Sequence, residues 1–137
     1  MKTLYLFLFS FIIGYAGPRD QIRSILNDAD IYTVEPTGSM EPVLNEKCYL
    51  LIKIIPFNEL KIGDIIVFQR NDTLIVHRII SFSDSRRYAA TKGDANQTSD
   101  VGYVTEENYR GIVFGVIRRD LLDPEEKLLT TPVFLIK

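Results

Sequence analysis

Ser39 stands between a glycine and a methionine, with a proline three positions later, in the run Thr37-Gly38-Ser39-Met40-Glu41-Pro42. Gly38 lets the backbone take a tight path, while Pro42 fixes its own φ and pushes Glu41 toward an extended conformation. Together they hold Ser39 on a rigid, exposed corner, the setting a nucleophile requires. A serine hydroxyl is a weak nucleophile until a base takes its proton. The chain has one histidine, His77, so any histidine-based mechanism runs through it. Imidazole, with an ordinary pKa of about 6.5, can accept that proton at neutral pH and return it to a leaving amine. Such a base works best when an acid holds its other ring nitrogen, and Asp94 and Asp100, six positions apart in one loop, are the candidates. Each residue also has a plain structural reading. A serine beside a glycine is commonly a turn residue, a lone histidine commonly a half-buried strand residue with a satisfied hydrogen bond, and Gly93-Asp94 an ordinary turn.

Other chemistries find less support. A metal site lacks ligands, because the one histidine and the one cysteine, Cys48, lie far apart in sequence. No glycine-rich phosphate loop is present, and no cofactor is expected. Cys48 sits in the apolar run Cys48-Tyr49-Leu50-Leu51-Ile52 and reads as a small core residue; with no partner it forms no internal disulfide.

Four blocks then carry a resemblance. Thr37 to Leu44, TGSMEPVL, resembles the serine box of type I signal peptidases. Ile62-Gly63-Asp64-Ile65-Ile66-Val67-Phe68, Val76-His77-Arg78-Ile79-Ile80 and Thr91-Lys92-Gly93-Asp94-Ala95-Asn96 with Asp100 follow in that family's order. The similarity runs from about Val34 to Ile117. Histidine rather than lysine in the third block points to the archaeal and endoplasmic-reticulum branch. The resemblance implies Ser39 as nucleophile, His77 as general base and Asp100 as the acid that orients it. Asp94 is expected to brace the loop, through backbone hydrogen bonds. The Ser39 N–H is the natural first oxyanion donor, and by resemblance the Thr37 hydroxyl is a second; for Thr37 a local turn hydrogen bond is the competing reading. Bacterial-type signal peptidases and the self-cleaving SOS repressors use a Ser-Lys dyad whose lysine lies where His77 lies here. Lys47, Lys53, Lys61 and Lys92 fall outside that block and read as solvated charges, and Arg78 stays protonated and cannot serve as a base.

The elements that must position these groups read as β. Apolar, β-branched or aromatic runs at Ile31-Val34, Cys48-Ile55, Ile65-Gln69, Leu74-Phe82, Tyr88-Thr91 and Gly111-Arg118 are separated by Pro, Gly, Asn and Asp turn chemistry. Thr105-Glu106-Glu107-Asn108 reads as one capped helical turn, and Thr131 to Ile136 as an added edge strand. On the strand from Leu74 to Phe82, His77 shares a face with Ile75 and Ile79, and Val76, Arg78 and Ile80 point the other way. The predicted fold is mainly β, a signal-peptidase-like antiparallel sheet or open barrel behind a short N-terminal hydrophobic helix.

At 137 residues the chain is one domain, residues 18–137, behind a hydrophobic segment, residues 1–17. Its 16 basic and 18 acidic residues give a formal net charge of -2 and no reason to expect nucleic acid as a partner. The apolar run from Leu4 to Ala16 reaches about 20 Å as a helix, short of a hydrocarbon core of about 30 Å, so length favours a cleavable signal peptide. The resemblance favours a membrane anchor with the catalytic domain on the extracytoplasmic face. Pro18 to Ala29 reads as a short amphipathic helix leading away from it. Two sequons, Asn71-Asp72-Thr73 and Asn96-Gln97-Thr98, are present, and a glycan on the second would obstruct substrate. Either that site is unmodified or the chain is not made in a glycosylating compartment. The implied activity is removal of signal peptides from exported preproteins at a lipid surface, with or without accessory subunits. The competing readings are a processing protease for one precursor and an inactive substrate-binding β-domain.

Overall fold

The computed structural model describes residues 29–118 and 135–136. The hydrophobic segment 1–17 lies outside the described residues, as does the expected helix from Pro18 apart from Ala29, which is buried. Among the described residues no helix is long and apolar enough to cross a membrane.

Among the described residues seven strands form one sheet: β1 (Asp30–Val34), β2 (Cys48–Lys53), β3 (Ile65–Arg70), β4 (Thr73–Phe82), β5 (Ala89–Lys92), β6 (Tyr109–Arg118) and β7 (Leu135–Ile136). Their order is β3-β6-β2-β1-β7-β4-β5, and β3 also pairs with β4, so the sheet closes on itself with β5 attached outside the ring. The six longer strands pair antiparallel throughout, as short strands joined by short turns dictate. The ends of β1 to β6 agree with the sequence pattern to within two residues. β7 differs in place. An edge strand was expected there, yet Leu135 and Ile136 pair parallel with β1 and also with β4, filling the gap between them.

The alternation of side chains across β3 and β4 feeds two cores. Val67 and Val76 join Val34, Met40, Leu44, Cys48, Leu50 and Ile52 on one face. Ile66, Phe68 and Ile79 join Phe57, Leu60, Ala89, Val104 and Tyr109 on the other. A single 3-10 turn, Phe57–Glu59, closes the second core by setting the Phe57 ring edge-on to Phe82 and Tyr109. Cys48 is buried in the first core, as its sequence neighbours imply. The segment Thr105-Asn108 is a hydrogen-bonded turn, closed by the Asn108 side chain accepting from the Thr105 N–H rather than by a Thr105 cap. The site residues come from three places on this frame: the turn after β1, the middle of β4 and the loop after β5.

Candidate active site

The serine turn is pinned from both sides. Gly38 has φ of +72°, a left-handed conformation that glycine adopts without steric cost. Its carbonyl accepts from the Glu41 N–H, closing the turn. Next to Ser39 the chain drives Met40 into the first core, where it is 1% exposed, and Leu44 follows it. Burying a side chain of that size is worth about 1.5–3 kcal/mol, enough to hold a short turn in one place. Glu41 and Pro42 stay at the surface.

His77 lies mid-strand on β4, opposite Ile66 of β3, with its ring edge-on to Phe68. It is 7% exposed. Nε2 is 3.1 Å from Ser39 Oγ, and Nδ1 is 2.7 Å from Asp100 Oδ2. Burial disfavours the charged form of Asp100, but hydrogen bonds from His77 and Thr91, with the nearby charge of Arg70, outweigh it and hold the carboxyl below its ordinary range. A carboxylate only accepts, so the Nδ1 proton of the imidazole points to Asp100 and the free lone pair on Nε2 faces the Ser39 hydroxyl. Hydroxyl, imidazole and carboxylate thus stand in line, in the arrangement that makes a serine nucleophilic.

Thr37 Oγ1 lies 3.3 Å from Ser39 Oγ, on the exposed side of the turn. Among the described residues the Ser39 N–H has no acceptor, which leaves it free to donate. The loop after β5 reaches back to the serine turn, where the Ala95 N–H donates to the Ser39 carbonyl at 2.9 Å. This approach requires a glycine at 93. A Cβ there would lie 2.6 Å from the Ser39 carbonyl oxygen, 2.7 Å from Asn96 Nδ2 and 2.9 Å from His77 Nε2.

The chain is similar to a type I signal peptidase. Signal peptidase I W of Bacillus subtilis (strain 168) is 33% identical over 117 residues, which cover 80% of this chain and 62% of that protein. The chain therefore spans a little under two thirds of that relative's length. No protein-family model matches the chain, and no solved structure matches it.

Asp94 braces the loop, but by a route other than the one expected. It does not brace the loop through backbone hydrogen bonds; it forms a bidentate pair with Arg78, whose Nε and Nη2 donate at 2.8 and 2.7 Å. Arg78 Nη1 also donates to the Gly63 carbonyl, tying the loop to the turn before β3. The hydrogen bond to Asp94 raises the Arg78 guanidinium above its ordinary value. Lys92 is not simply solvated either, since its Nζ donates to the Asn96 carbonyl at 2.8 Å. Gly93, Arg78 and Lys92 thus hold the loop against the serine turn and β4, a part the sequence did not assign to them. Arg78 carried the one usable signal: it neighbours the histidine on the opposite face, and two acids follow in the chain. No group of three or more metal-ligating side chains forms among the described residues.

Proposed function

We propose that this protein is a membrane-associated serine endopeptidase that removes signal peptides from exported proteins. The observation that carries the proposal is the lone imidazole sitting 3.1 Å from the Ser39 hydroxyl and 2.7 Å from the Asp100 carboxylate, in a chain similar to a signal peptidase. Ser39 Oγ attacks the carbonyl carbon of the scissile peptide while its proton passes to His77 Nε2. Asp100 keeps the Nδ1 proton, fixes the tautomer and stabilises the imidazolium that forms. The developing oxyanion takes hydrogen bonds from the Ser39 N–H and the Thr37 hydroxyl, donors of a kind worth about 3 kcal/mol of barrier each. The imidazolium then gives its proton to the leaving amine, and the resulting acyl-enzyme is hydrolysed by water activated by the same base.

Histidine in place of lysine supports a reading within the archaeal and endoplasmic-reticulum branch. The substrate is an exported preprotein bound as an extended strand, with small residues before the cut, and cleavage takes place on the extracytoplasmic side of a membrane to which residues 1–17 anchor the chain. The test is membrane-reconstituted protein incubated with a model preprotein and analysed by mass. Wild type releases the mature fragment, and Ser39→Ala and His77→Ala release none. Cleavage at the wild-type rate by either variant ends the proposal.

A further inference from the structure

Asp100 reaches His77 from the far end of a loop that leaves the sheet after Lys92, so the strand ladder alone does not hold it there. Thr91, the third residue of β5, grips it twice. The Thr91 carbonyl accepts the Asp100 N–H at 2.8 Å. The Thr91 hydroxyl donates to Asp100 Oδ2 at 2.6 Å, and that oxygen is the one facing His77 Nδ1. Thr91 is completely buried and stands in register opposite Ile79, two residues along β4 from the histidine.

We propose that Thr91 is a positioning residue of the catalytic site: its hydroxyl fixes the rotation of the Asp100 carboxylate and its carbonyl fixes the backbone, so that one oxygen stays on the imidazole. The carboxylate torsion of an aspartate is broad, and a single donor leaves it free to swing. A second donor on the same oxygen, mounted on a buried strand, removes that freedom. Because the acceptor is charged, this bond is also of the stronger kind. The titratable and charged groups facing the carboxylate are His77 from β4 and Arg70 from the end of β3, whose guanidinium lies over the Phe68 ring; Thr91 adds a neutral donor from β5. The hydroxyl favours the ionised carboxylate, so its loss moves protonation of Asp100 to higher pH.

This inference rests on the serine-peptidase reading, and the test separates the two. The full-length protein is reconstituted in liposomes and assayed on a model preprotein as wild type, Thr91→Val, Thr91→Ser and Ser39→Ala. Thr91→Val is expected to lower kcat about tenfold with KM little changed, the loss that follows from removing a hydrogen bond to a charged group. Thr91→Ser restores most of the rate. The Asp100 carboxyl, followed by 13C NMR, titrates at higher pH in Thr91→Val and at its wild-type position in Thr91→Ser. If the valine variant does not fold, Thr91→Ala is read in its place. An inactive Ser39→Ala beside a Thr91→Val with wild-type kcat and an unmoved carboxyl titration overturns the role given to Thr91 and leaves the protease standing. Equal losses in the valine and serine variants also overturn it, since packing and not the hydroxyl would then be at work. Full activity in Ser39→Ala overturns the protease itself.

Discussion

Asp94 and Asp100 belong to one loop and have the same side chain, but they sit in different surroundings. Asp94 faces Arg78, a permanent cation, across a pair in which the guanidinium is 32% exposed and the carboxylate 17% exposed. Asp100 faces His77, a group that gains and loses a proton, with both side chains under 10% exposed. A guanidinium binds a carboxylate in a flat, two-pronged clasp and never changes charge, so Asp94 can only fasten. An imidazole joins a carboxylate through one proton and, in the proposed mechanism, changes charge as the serine reacts, so Asp100 could respond to that chemistry. The partner, and not the acid, divides the fastening role of Asp94 from the role proposed for Asp100.

The largest effect separating the two acids is on rate. Asp100→Asn is expected to lower kcat by about 10⁴, because the amide favours the wrong tautomer of His77 while leaving the geometry in place. Asp94→Asn keeps one acceptor for Arg78, and its loss in kcat stays within about tenfold in the same preprotein assay. A comparable loss in the two variants would erase the distinction.

Gly93→Ala comes next, expected to cost on the order of 10² in kcat, because the new methyl group pushes the loop off the Ser39 carbonyl and crowds His77 Nε2. It tests whether both acids depend on the same close approach. Met40→Ala acts on the serine turn instead. Removing a fully buried side chain is expected to cost about 2–5 kcal/mol of stability in urea unfolding, with a lower melting temperature.

The smallest effect is in acid. A carboxyl held below its ordinary pKa adds stability that is complete above the unfolded-state value, about 3.9, and is lost as pH falls through the folded-state value. Asp100 is such a group. Urea midpoints measured from pH 5 down to pH 2 are therefore expected to fall less steeply in Asp100→Asn than in wild type. An unchanged slope would mean that the carboxylate is no better stabilised folded than unfolded.

Much of this arrangement is legible in the sequence, for physical reasons that vary by residue. Strands β1 to β6 announce themselves as apolar, β-branched or aromatic runs, because a sheet buries its side chains on one or both faces, and glycine, proline and asparagine sit where the chain turns. Met40 could be read as packing because an apolar side chain next to a surface serine has to go somewhere. The Arg78–Asp94 clasp could not be read so easily, since pairing across 16 positions depends on which face of β4 the arginine occupies and where the loop returns. Thr91 gave no signal at all, because a threonine in a strand is an ordinary β residue until its hydroxyl meets an acceptor. The place of β7 was also hidden: two residues carry too little pattern to distinguish an outer strand from one wedged between two others.

The hydrogen bond from Ala95 to the Ser39 carbonyl fastens the loop that carries both acids to the turn that carries the hydroxyl. That amide can exchange with deuterated solvent only when the two segments part, so its exchange rate counts how often the centre comes undone. The integrity of the assembled site is thus readable at a single backbone position of the resting protein.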